Sequence, residues 1–194
     1  MNEATLTSAP NDKTYFGFWT YLMTDIVLFA SLFATYAILK NGVANGPSSH
    51  QIIDLPFVLI ETVLLLTSSF TGGLALLAAR AGKRQLTAIL LATVFGLGAG
   101  FVTMELIEFT KLANEGHSWQ VSAFLSAFFT LVGTHGLHIT AGLLWIIVLG
   151  VQLWRFGLSH SVMRRLTLFT MFWHFLDVVW IAIFTIVYLM GSLA

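Results

Sequence analysis

Cysteine is absent from this 194-residue chain, and only 9% of its residues are charged. The first absence rules out disulfides. It also rules out thiolate-ligated zinc, iron–sulfur clusters and blue-type copper centres, all of which need cysteine sulfur. The second departs from soluble domains, where about a quarter of residues carry charge. Nine bases balance nine acids, so no net positive field speaks for nucleic acid or a basic surface anchor. No internal repeat and no low-complexity segment stand out. The apolar run from residue 16 is too long for a signal-peptide core, and no small-residue cleavage site follows it.

What remains is apolar. Hydrophobic residues make up 57% of the chain, and the mean hydropathy is +0.86. The expected fold is all-α: an integral membrane bundle. Crossing a bilayer takes about 20 apolar residues. Five segments qualify, at about 16–39, 56–79, 86–110, 121–150 and 166–190. A polar segment, 1–15, precedes a transmembrane domain over 16–194. The fourth span is the longest and must tilt or protrude. Gly42, Gly46 and Pro47 mark the first link as a loop, Pro56 opens the second helix, and Arg80 to Arg84 form a tight turn.

Basic residues set the direction. Lys13, Arg80, Lys83, Arg84, Arg155, Arg164 and Arg165 fall on one side, and Lys40 and Lys111 on the other. The N-terminus is therefore expected in the cytoplasm and the C-terminus in the periplasm. Trp19, Tyr21, Trp119, Trp154 and Tyr188 lie toward span ends, as an interfacial aromatic belt would. Trp145, Trp173 and Trp180 sit deeper and suit helix packing. Gly72, Gly73, Gly96, Gly98, Gly100, Gly133, Gly136 and Gly142 would let helices approach closely.

Five acids fall inside the spans: Asp25, Glu61, Glu105, Glu108 and Asp177. No Lys or Arg does, so His135, His138 and His174 are the only bases there. Ionisable groups at membrane depth are costly and are a functional clue by default. Glu61, Glu105 and Glu108 lie near the same ends of their helices and could share one polar cluster. Asp25 is close to mid-membrane with no base nearby in sequence. His135 and His138 stand one turn apart on the fourth helix, and His174 and Asp177 one turn apart on the fifth. These helices are antiparallel neighbours, so the two pairs could meet. Three readings compete: a metal or haem site, a proton path, and a hydrogen-bond knot that fixes two helices. A hydroxyl such as that of Thr24, or a facing helix, would satisfy Asp25.

Several stretches together resemble subunit III of the haem–copper respiratory oxidases over nearly the whole chain. They are Thr24–Phe29, Leu55-Pro56-Phe57 through Ser69, Gly133–His138 and Phe172–Trp180. Phe16–Trp19, Phe124–Phe129 and Val187–Gly191 are similar to the bo-type quinol-oxidase branch, as is the number of spans. Asp25 falls where mitochondrial relatives carry a carbodiimide-reactive glutamate, and is one methylene shorter. The resemblance implies an accessory subunit without a catalytic centre, cofactor or metal of its own, in a bacterial cytoplasmic (inner) membrane. The haems and copper would lie in subunit I, with subunit II, a small subunit and phospholipid as further partners. Support of assembly, oxygen access and proton uptake would be its roles. A proton-coupled transporter and a His-ligated membrane cytochrome remain the alternatives. The first would need broken helices or an inverted repeat.

Overall fold

The computed structural model describes residues 10–40, 42, 55–116 and 120–193. Gly46, Pro47, Trp119 and residues 1–9 lie outside the described residues. Five long helices account for almost all the rest: α1 Pro10–Leu39, α2 Leu55–Arg80, α3 Arg84–Asn114, α4 Ala123–Phe156 and α5 His160–Ile183. A π-helical segment, Phe184–Leu189, continues α5 into a last short turn, α6, Met190–Leu193. All five long helices are long and apolar enough to cross a membrane, as expected from the hydrophobic runs.

The helices outlast those runs. α1 begins at Pro10 rather than 16, and α5 begins at His160 rather than 166. Ser159 caps α5 by accepting a hydrogen bond from the Val162 amide, so Arg164 and Arg165 are helical rather than in a loop. Hydropathy reports what sits in lipid. The backbone stays helical through the polar turns beyond, where charged side chains reach water. α4 has 34 residues, which at ~1.5 Å rise is about 50 Å, well beyond a hydrocarbon core of ~30 Å.

The short links are built by caps. Between α2 and α3, Gly82 takes a left-handed φ of 72°. Its amide donates to the Ala79 carbonyl, and the Lys83 amide donates to Ala78. This is a Schellman closure, and it requires a residue without Cβ at Gly82. Gly157 makes the comparable turn between α4 and α5, with φ 61°.

The packing follows a seven-residue rhythm. On α3 the buried positions include Thr87, Leu91, Val94, Gly98, Phe101, Glu105, Glu108 and Leu112. On α5 they include Val162, Leu166, Phe169, Trp173, Leu176, Trp180 and Ile183, and the row continues to Val187 in the π segment. The α2 row runs through Val58, Glu61, Leu65, Ser68, Gly72, Ala75 and Ala79. Alternating steps of three and four residues make a straight seam between nearly parallel or antiparallel helices. α2 packs chiefly on α3 and α5, α4 on α3 and α5, and α1 on α4 with a smaller contact to α5. α1 is the least buried of the five.

Most of the expected small-residue contacts are real. Gly98 and Gly142 both face the Trp173 indole, Gly136 faces the Glu105 carboxyl, and Gly133 faces Phe109. Gly96 is the exception: nothing lies within 4 Å of where its Cβ would be. It is on the open side of α3, midway between the seam positions Val94 and Gly98. Tyr188 also departs from expectation. It is fully buried rather than interfacial, because the π segment turns it into the bundle. Trp19, Tyr21 and Trp154 are exposed, as belt residues would be.

Candidate functional site

The polar residues fall into three groups along the seams. The first joins α5 to α2. Trp173 donates its indole N–H to Ser68 Oγ (3.2 Å), and Trp180, seven residues on, donates to Thr62 Oγ1 (3.1 Å). Ser68 Oγ also lies 3.4 Å from the Val94 carbonyl of α3, as a donor to it. Between the two indoles, Ser69 Oγ meets His174 Nδ1 at 2.5 Å. Asp177, one turn on from His174, is also close to Ser69. The pairing descends one helix as it climbs the other, which is the geometry of antiparallel neighbours. Both tryptophans are buried, so each indole N–H needs a partner. In α2, the hydroxyls at seam or near-seam positions supply one.

The second group joins α4 to α1. His138 Nε2 lies 3.8 Å from Asp25 Oδ1, in ion-pair range but too long for a hydrogen bond. His138 Nδ1 is 2.7 Å from the Thr134 carbonyl. A carbonyl only accepts, so Nδ1 carries a hydrogen. A neutral ring then turns a bare Nε2 toward the carboxyl, and the contact becomes attractive when one proton sits on either partner. Tyr21, one turn before Asp25, brings its hydroxyl to the same carboxyl. His135, on the same helix, is enclosed by rings. It stacks on Trp180 at 5.3 Å between centroids and meets Phe101 edge-on at 5.9 Å.

The third group gathers Glu61 of α2 with Glu105 and Glu108 of α3. Tyr188 donates its hydroxyl hydrogen to Glu108 Oε2 (2.9 Å). All three acids are buried.

These placements correct one expectation and decide between two others. The His135/His138 pair and the His174/Asp177 pair do not meet: one faces α1 and the ring cluster, the other faces α2. Neighbouring helices share only one face, and His174 and Asp177 lie on the α2 side of α5. Of the two partners expected for Asp25, the facing helix supplies one, His138 of α4, while the Thr24 hydroxyl bonds back to the Tyr21 carbonyl at 2.6 Å. The expected three-glutamate cluster does form. Sequence reading passed over Thr62, Ser68, Ser69 and Tyr188. The three- and four-residue spacing that puts Ser68 in line with Glu61 and Leu65 would have found the first hydroxyls.

Ser69 is the shared neighbour of His174 and Asp177 on α5. Ser69→Ala strips the partner from His174 Nδ1 and removes the hydroxyl beside the buried Asp177. We expect a loss of about 1–3 kcal/mol, read as lower resistance to heating in detergent. It should exceed the loss from His174→Ala, since His174 is exposed. Equal or smaller sensitivity would deny Ser69 that position.

Among the described residues, no group of three or more His, Cys, Asp or Glu is placed to hold a metal ion. The arrangement is one of side chains that tie helices together. The family model for cytochrome c oxidase subunit III matches residues 3–192. The chain is 56% identical over 181 residues to cytochrome bo(3) ubiquinol oxidase subunit 3 of Pseudomonas aeruginosa, covering 93% of this chain and 87% of that protein. It is 53% identical over 180 residues to the protein of the same name from Pseudomonas putida, with the same coverage. It is 44% identical over 177 residues to cytochrome c oxidase subunit 3 of Bacillus sp. strain PS3, covering 91% and 86%. With its five membrane-crossing helices and a match over nearly its full length, the chain belongs to the cytochrome c oxidase subunit III family.

Proposed function

We propose that this chain is subunit 3 of a bo-type ubiquinol oxidase in a bacterial cytoplasmic membrane. It acts as an accessory subunit: quinol oxidation and oxygen reduction take place in the partners. The observation that carries this reading is the family match, together with the 56% identity to a protein named as a bo(3) ubiquinol oxidase subunit. The related cytochrome c oxidase subunit at 44% identity makes the electron donor a property to be read from the complex. Subunit I, with its haems and copper, is the proposed neighbour, alongside subunit II and a small subunit. The uneven distribution of Lys and Arg supports a cytoplasmic N-terminus and a periplasmic C-terminus.

The polar contacts support a scaffolding role. Trp173, Trp180 and Ser69 bind α5 to α2, while Asp25 and His138 bind α4 to α1. Phospholipid binding, oxygen access and support of proton uptake are the finer roles we assign to the same scaffold. The Asp25–His138 contact is the most suitable place for the last, because its attraction depends on one proton.

Isolation through a tag on this chain tests the reading. The product should contain a large, histidine-rich subunit with a haem spectrum, and should consume oxygen with quinol. A visible haem band from the chain purified alone would overturn it. Within that complex, Asp25→Asn should leave haem content and subunit ratio unchanged. Turnover should fall by less than about tenfold, or ~1.4 kcal/mol. Complete loss of oxygen consumption with full haem content would place Asp25 in an essential step.

A further inference from the structure

Glu61 is a fully buried residue, and neither of its carboxyl oxygens has a hydrogen-bond partner among the described residues. It holds a seam position on α2, seven residues before Ser68. The facing part of α3 carries Glu105 and Glu108, and all three acids are within electrostatic reach of one another. Glu105 is buried too, and its Oε1 is likewise unpartnered. Its carboxyl rests against α4 at Gly136, where a Cβ would come within 2.5 Å of Oε1. Glu108 accepts from Tyr188 across the π segment.

The groups facing this cluster are nearly all acceptors or rings. From α2, the Thr62 hydroxyl is engaged by Trp180 and by its own Val58 carbonyl. From α4, the fully buried His135 stacks on Trp180 with both ring nitrogens unpartnered. From α5 and the π segment come Trp180 and Tyr188. Lys111 is one turn beyond Glu108 and is exposed. No other Lys or Arg lies within the apolar spans of these helices. Carboxylates only accept hydrogen bonds, and like charges confined to one dry site cannot all ionise. A neutral His135 ring has one N–H, but neither ring nitrogen makes a hydrogen bond among the described residues, so the donors left for the orphaned oxygens of Glu61 and Glu105 are protons carried by the carboxyls themselves, passed directly or through an internal water.

We propose that Glu61, Glu105 and Glu108 form a shared proton-holding site inside the bundle, closed by Gly136 and anchored by the Tyr188–Glu108 hydrogen bond. The site takes its proton from solvent, converting a carboxylate to a carboxylic acid and returning the same proton on release. It lies at the bundle end that bears the α1–α2 and α3–α4 links, opposite the Arg80–Arg84 turn.

Infrared difference spectroscopy on the purified complex tests this. A band from protonated carboxyl groups should shift in heavy water. It should weaken in both Glu61→Gln and Glu105→Gln, and each substitution should perturb the residual band of the other acids. Tyr188→Phe should shift the band without removing it. Haem content and subunit ratio establish that each variant has assembled. The proposal is overturned if assembled Glu61→Gln and Glu105→Gln both retain the wild-type band, or if their effects are strictly independent. Glutamine fills nearly the same volume as glutamate, so a folding failure in one variant leaves the other, and Tyr188→Phe, to decide.

Discussion

Trp173→Ala is expected to cost roughly 3–5 kcal/mol, the range for removing a buried tryptophan from a packed interior. The indole does three things at once. It fills the space between α3 and α4 at Gly98 and Gly142. It donates to Ser68 on α2. It also packs on Phe169 at 5.4 Å between centroids. Within lipid, hydrophobic transfer gives little drive for helices to associate, so close packing and interhelical hydrogen bonds carry most of it. An alanine here removes both. The measurement is the fraction of subunit retained with the complex as temperature rises in detergent. Retention equal to wild type would mean that the surrounding helices collapse into the space, or that the partner subunits hold the bundle.

Gly142→Val should be nearly as damaging by the opposite route. A Cβ at this position would lie 2.6 Å from Trp173 Cζ3 and 3.0 Å from Cε3. Those atoms belong to a rigid ring that is itself wedged against Gly98, so neither side can give way cheaply. Overpacking of this kind costs about 1–3 kcal/mol and sometimes more. Gly96→Ala is the internal control. Its Cβ would meet nothing within 4 Å, so only the gain in helix propensity remains, about 1 kcal/mol. The pair of variants separates a contact glycine from an incidental one by the sign of the change in heat resistance. Two losses of equal size would refute the distinction.

The spans were legible because a lipid-embedded helix must be apolar along its length, and 9% charge leaves little ambiguity. The ends were less so. α5 carries Arg164 and Arg165 in its second turn, a polar start that hydropathy reads as loop. The tight turn at Arg80–Arg84 was readable from its charge and its glycine. Of the site residues, all eight acids and histidines could be picked out, because each is costly at depth. Their partners could not, because a single sequence shows which helices are consecutive but not which faces meet. His174 and Asp177 looked toward α4 on chain order alone, yet they pack on Ser69 of α2. Asp25 seemed without a base because His138 is distant in sequence. The three glutamates were grouped correctly, since helix direction already placed them at one end.

The π segment at Phe184–Leu189 makes the placement of Tyr188 depend on how the helix winds more than on its composition. Each residue advances a regular helix by about 100°, and a π turn absorbs one extra residue without shifting the register of what precedes it. Tyr188 reaches Glu108 from within that widened turn. If the same residues wound evenly instead, five steps from the seam position Ile183 would swing the phenol toward lipid. An apolar tail of unchanged hydrophobicity would then have lost the Tyr188 hydrogen bond to Glu108.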